Sequence, residues 1–165
     1  MLPLGTVLHP TDFSENSEYA FQVACELARD YKARLVLLHV MAPPMVIYAG
    51  GPVPAEAWPS IDQVQEKLRE LHGQAHQVRV EAQVMEGDPV DMILRAAEET
   101  DCDVIVMGTH GRTGLGRLLM GSVAEAVIRK APCPVLSVKP VPARRKVTED
   151  SEAKAEAGAA VETHV

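Results

Sequence analysis

Short apolar runs, separated by stretches whose apolar residues recur every three or four positions, constrain this chain more than any other feature. Leu4 to His9 (LGTVLH) is closed by Pro10, and Leu35 to Val40 (LVLLHV) by Pro43 and Pro44. Asp103 to Gly108 (DVIVMG) and Val135 to Val138 (VLSV) are two more such runs, and Val78 to Val84 (VRVEAQV) alternates. Runs this short and this apolar read as buried strands. Between the first two, Ala20, Val23, Ala24, Leu27 and Ala28 carry helical spacing through Asn16 to Tyr31, with Ser14 or Asn16 as the N-cap. Further helices are predicted over Ile61 to His76, Pro89 to Glu99 and Leu118 to Lys130. Strand and helix in alternation imply a parallel sheet covered on both faces and joined by right-handed crossovers. The expected fold is α/β, a doubly wound five-stranded parallel sheet of Rossmann-like type with helices on both faces.

A chain of 165 residues, 47% of them hydrophobic, is enough for one domain with a sizeable core. Two segments stand apart from that core. Met41 to Ser60 (MAPPMVIYAGGPVPAEAWPS), rich in proline and glycine, reads as a long loop. The stretch 140–165 shows a basic cluster and then alanine-rich acidic sequence without a core face, so it is expected to be a frayed helix or disordered tail after a domain spanning 1–139.

With 23 acids against 16 bases the formal charge is −7, which disfavours non-specific attraction to nucleic acid or anionic lipid. An anionic ligand therefore needs a local site. Cys25, Cys102 and Cys133 are odd in number and lack CxxC spacing, so each reads as a small apolar residue in a reducing compartment. Neither a signal-peptide pattern nor an apolar stretch of membrane-spanning length stands out, and a cytoplasmic location is expected.

The polar candidates outside the apolar runs have plain readings. His72 and His76, four apart on a predicted helix, fit a solvated helix end better than a metal site, because Gly73 intervenes and no third ligand is near. His9 and His39 end adjacent strands and are expected to be satisfied near-surface groups. Asp88 and Asp91 suit the positive end of the helix they open.

The stretch GTHGRTGLGRLLMGS, Gly108 to Ser122, holds five glycines in the fourteen positions that end at Gly121. Such clusters mark tight turns or a close backbone approach to a ligand, and the residues alone leave both open. Its position favours a ligand: it begins at the carboxyl end of a strand and ends where a helix is under way, the place where doubly wound sheets bind ligands. Backbone amides and the helix's positive end would there face phosphate oxygens, with Arg112 supplying charge and Ser122 a hydroxyl. Familiar nucleotide motifs fail. No lysine lies between Glu86 and Lys130 to complete GxxxxGK[ST], and Leu119 replaces the third glycine of a GxGxxG begun at Gly114.

What does match is longer. Gly108, two residues, Gly111, nine residues and Gly121-Ser122 resemble the G-2x-G-9x-G-(S/T) signature of the ATP-binding branch of the universal stress proteins. The resemblance extends to VLHPTDFSENSEYAF (Val7 to Phe21) and to SVAEAVIRKAPCPVLSV (Ser122 to Val138). It implies an adenine nucleotide alpha hydrolase-like fold and ATP as ligand, with magnesium or manganese held through the phosphates. It also implies site residues. Pro10, Thr11 and Asp12 would lie beside ribose or the metal-bearing phosphates, and Asp12 could otherwise serve as the N-cap of the following helix. Val40 would present its backbone to the adenine edge. Met107, Gly108, His110, Gly111, Arg112, Gly121, Ser122 and Val123 would complete the cradle.

The implied role is regulatory, with no catalytic residue required and no metal ligand beyond the phosphates. Slow hydrolysis or autophosphorylation, with Ser122 or Thr113 as acceptor and Asp12 as base, is the enzymatic alternative. An interaction module with an incidental ligand is the other. A homodimer through the last strand, Val135 to Val138, is expected from its short apolar edge, although Pro132, Pro134 and Pro140 flank it as edge protection would.

Overall fold

The computed structural model describes residues 4–41, 59–109 and 120–139. Five strands, β1 (Thr6–Pro10), β2 (Arg34–Met41), β3 (Arg79–Glu86), β4 (Val104–Gly108) and β5 (Val135–Val138), form one sheet in the order β3-β2-β1-β4-β5. Every neighbouring pair is parallel. Four helices alternate with the strands: α1 (Glu15–Tyr31), α2 (Ile61–Gln74), α3 (Pro89–Glu99) and α4 (Ser122–Lys130). The doubly wound α/β architecture expected from the apolar runs is the one present. The chain winds outward from β1 through β2 to β3, then returns to place β4 on the other side of β1. Strand order therefore reverses between β1 and β4.

Side-chain alternation along the strands divides the core in two. Val7, Leu35, Leu37, Val104 and Val106 face Ala20, Phe21, Ala24 and Ala28 of α1 together with Val64, Leu68 and Leu71 of α2. The intervening Leu8, Val36, Leu38, Ile105 and Met107 face Ile93, Ala96 and Ala97 of α3 and Ala124 and Val127 of α4. Burial on both faces explains why the central strands read as unbroken apolar runs.

Local chemistry sets the helix ends. Ser14, one of the two expected caps, opens α1 by accepting from the Ser17 amide, and Ser60 shares a reciprocal capping box with Gln63 at α2. Asp88 caps α3 with Pro89 in the first turn. Lys32 closes α1 in the left-handed region (φ 56°), where its amide returns to the carbonyls of Ala28 and Arg29. Strands β1 and β3 begin and end one or two residues later than expected, and two helix boundaries differ by two residues or more. α4 starts at Ser122, not Leu118, because Met120 lies in a bend and Gly121 is extended, and α2 stops at Gln74, which leaves His76 beyond the helix. The segments 42–58 and 140–165, and with them the expected long loop and tail, lie outside the described residues.

Candidate functional site

A cleft of about 270 Å³ opens at the carboxyl ends of β1 and β4, where strand order reverses. One wall is the turn Pro10-Thr11-Asp12 that leaves β1. A second is apolar, made of Leu38 and Val40 on β2, Met107 on β4, and Pro89 and Ile93 of α3. The third is the start of α4, from Gly121 to Ala124, with Gly108 and Thr109 beneath it.

The β1–α1 turn is held from several sides. The Thr11 amide donates to the Leu38 carbonyl (2.8 Å), and the Thr11 carbonyl accepts from Nδ1 of His39 (2.8 Å). Thr11 Oγ1 accepts from the Phe13 amide (3.1 Å) and the Ser17 hydroxyl (2.9 Å). Phe13 takes φ 61°, a left-handed conformation costly for an aromatic residue, and its ring stacks on His39 with 4.5 Å between centroids. Lys67 lies over the same ring, 5.2 Å from its centre. Asp12 sits between these anchors. Its Oδ1 accepts from the amide (3.1 Å) and hydroxyl (2.6 Å) of Ser14, so Asp12 orients the cap of α1 while Ser14 is the cap itself.

The opposite wall is organised by backbone. The Thr109 amide donates to the Val138 carbonyl (3.0 Å), and the Gly121 amide donates to the Thr109 carbonyl (2.7 Å). Thr109 and Gly121, which bracket residues 110–120 in sequence, are thus hydrogen-bonded to each other. Gly121 is the N-cap of α4 at φ −74° and ψ 152°, and among the described residues no side chain caps the helix. Its first-turn amides keep their donor capacity and the positive end of the helix faces the cleft. Gly108 has a different reason to be glycine: a Cβ there would stand 3.1 Å from the Asn16 carbonyl oxygen and 3.2 Å from its carbon, so β4 passes too close to the first turn of α1 for a side chain.

Both strand-end histidines are buried, contrary to the near-surface placement expected for them. His9 is fully enclosed, with Nδ1 donating to the Val106 carbonyl (2.8 Å), which fixes the neutral ring as the Nδ1–H tautomer. Its Nε2 is buried without a hydrogen-bond partner. Burial lowers the His9 pKa to about 4, and the Val106 carbonyl and the Asp12 charge only partly oppose this. The reason for the burial is that β1 and β2 turn these rings toward the α1 side, where main-chain carbonyls receive them.

Of the residues singled out in the sequence, Pro10, Thr11, Asp12, Val40, Met107, Gly108, Gly121, Ser122 and Val123 all line this one cleft. His110, Gly111 and Arg112 lie outside the described residues. Ser17, Leu38, Pro89, Ile93, Thr109 and Ala124 also line it and were not singled out. Leu38 was legible, since it shares a strand face with Val40. Pro89 and Ile93 carried no local signal, because only the crossover from β3 brings α3 over the cleft.

Fold and cleft together define a doubly wound α/β domain with a ligand-sized cleft at its switch point, walled on one side by the start of α4. The family model described as the universal stress protein family matches residues 4–139, and the chain belongs to that family. A universal stress protein of Methanocaldococcus jannaschii is 38% identical over 141 residues, covering 81% of each chain. The fold is shared with the universal stress protein UspA from Lactobacillus plantarum (TM-score 0.72, 22% identity, 84% of this chain and 99% of that one). Two other solved relatives carry ligands. One is a universal stress protein in complex with cAMP (TM-score 0.64, 27% identity, 83% and 98% covered). The second is the universal stress protein from Archaeoglobus fulgidus in complex with dAMP (TM-score 0.60, 27% identity, 84% and 100% covered).

Proposed function

We propose that this chain is an ATP-binding member of its family and acts as a regulatory module, with the nucleotide in the β1–β4 cleft. The observation that carries the reading is the start of α4 at Gly121-Ser122, which no side chain among the described residues caps, facing a cleft with an apolar wall. Leu38, Val40, Met107 and Ile93 offer a surface for the adenine ring, and the Val40 backbone would meet its edge. Amides of the α4 first turn and the Ser122 hydroxyl would take phosphate oxygens, joined by His110, Gly111 and Arg112 of the signature. Among the described residues Asp12 is the one acid lining the cleft. A single carboxylate beside phosphates suits magnesium or manganese, which bind nucleotides through one or two carboxylates and the phosphates themselves. Such a cation would neutralise phosphate charge, and among the described residues no cluster of three acidic, histidine or cysteine side chains competes for it.

The unit is read as a domain over 1–139 followed by a separate tail, located in the cytoplasm and paired with a second copy. Support for pairing comes from β5, which closes one edge of the sheet and leaves Leu136 42% exposed. No helix among the described residues is long and apolar enough to cross a membrane.

Thermal unfolding of nucleotide-free protein tests the ligand. ATP with magnesium at a hundredfold excess over Kd should stabilise by about 2.7 kcal/mol. A shift with AMP or cAMP and none with ATP would remove the ATP assignment and keep the cleft. No shift with any adenine nucleotide at millimolar concentration would reject the reading altogether.

A further inference from the structure

Two of the three cysteines, expected to be independent apolar residues, touch: the Sγ atoms of Cys102 and Cys133 are 3.2 Å apart. Pairing of β4 with β5 brings them together, because Ile105 is in register with Val135 and its amide donates to the Pro134 carbonyl (3.0 Å). The Cys102 backbone is fixed as well, its amide donating to the Ala97 carbonyl (3.1 Å). Both residues precede their strands, so the pair lies at the amino end of the sheet, away from the nucleotide cleft.

The two sulfurs differ in environment. Cys102 is 7% exposed, and burial, reinforced by the neighbouring Cys133 and Asp103, pushes its thiol well above the usual range. Cys133 is partly exposed in the turn between α4 and β5, so a dissolved oxidant reaches it first. Cys25 packs among the α1 and α2 side chains on the other face of the sheet and cannot compete for either.

We propose that Cys102 and Cys133 form an oxidation site at which a hydroperoxide creates an intramolecular disulfide. The Cys133 thiolate attacks the peroxide oxygen, the O–O bond breaks, and water or an alcohol leaves, giving a sulfenic acid at Cys133. The Cys102 sulfur then attacks that sulfur and expels hydroxide, which departs as water with the Cys102 proton. In sum, two thiols lose two electrons and two protons, and the peroxide takes up both. The sulfurs close by only about 1 Å to reach bonding distance. Because the residues are 31 apart in sequence, the link encloses the glycine-rich stretch and α4, and it restricts the unfolded chain enough to raise Tm by about 10 °C.

The test uses the full reduced chain treated with hydrogen peroxide, denatured and alkylated. Alkylatable thiols should fall from three to one, with a linked Cys102–Cys133 peptide, a Tm gain of about 10 °C, and reversal by a dithiol. Cys102→Ser should halt at a sulfenic acid on Cys133 that a dione reagent traps, without the Tm gain. Should that variant fail to fold, Cys133→Ser serves, and its Cys102 should stay alkylatable throughout. Three intact thiols at peroxide levels that oxidise free cysteine would overturn the proposal. So would a disulfide joining two copies, or a sulfinic acid at Cys133 beside an unmodified Cys102.

Discussion

Valine in place of Gly121 should separate ligand binding from folding. Gly121 lies at φ −74° and ψ 152°, extended backbone that any residue adopts, so valine there is free of the strain that a left-handed glycine would impose. Its amide bond to Thr109 and its carbonyl bond from Glu125 (3.0 Å) both survive the exchange. The folding loss is then limited to poorer capping, about 1 kcal/mol. Affinity should respond quite differently. No side chain among the described residues caps the α4 first turn, and methyl groups at 121 would stand where phosphate oxygens approach its amides. Losing two hydrogen bonds to a charged acceptor, at about 1.5–3 kcal/mol each, totals about 3–6 kcal/mol, or roughly a hundred- to ten-thousandfold weaker ATP binding. Titration calorimetry with magnesium-ATP reads the affinity, and urea unfolding of the same samples reads the fold. Unchanged affinity in a folded Gly121→Val protein would refute the reasoning, and so would a stability loss large enough to account for the binding loss.

Ser122→Ala should be milder, weakening ATP by the about 1.5–3 kcal/mol of one bond to a charged group, and calorimetry showing no change would remove the hydroxyl from the site. Gly108→Ala should destabilise by about 1–3 kcal/mol in urea, because the new Cβ would press on the Asn16 carbonyl; a neutral result would mean α1 yields there at no cost. His9 sets a pH dependence: with its pKa lowered to about 4 from 6.5, the unfolded chain binds more protons between those values, so stability is full above pH 6.5 and falls as the pH drops toward 4. The loss totals about 3 kcal/mol, and His9→Leu should lack it; parallel urea-unfolding curves for the two proteins from pH 7 to 4 would contradict this. Light scattering at tens of micromolar should report a dimer, and a monomer would remove β5 as an interface.

Where the sequence was legible, both faces of an element answered to one pattern. The runs around Leu35 and Ile105 are apolar throughout because helices cover the sheet on both sides, and α3 was delimited to the residue because Asp88 and Pro89 signal a start. The start of α4 was misread for a physical reason: Leu118, Leu119 and Met120 continue a helical apolar pattern, yet Gly121 takes up the cap and draws its amide back to Thr109. Histidine burial was hidden because the receiving groups are backbone carbonyls, at Val106 and Thr11, which carry no side-chain signature. The cysteine contact was hidden likewise, since only strand register joins residues 31 apart. Site residues on the glycine signature and the β1 turn were named from family resemblance. The α3 wall waited on topology.

The closed base of the 110–120 segment bears on how such a protein can change. Because Thr109 and Gly121 are bonded to each other, the described fold already holds the two ends of that stretch together. Doubling the length of such a stretch adds only about 0.6 kcal/mol of closure entropy. Insertions there would lengthen a chain whose ends are already joined and leave the β4–β5 pairing as it is. Length variation between Thr109 and Gly121 is therefore a change that this sheet can accept at small cost.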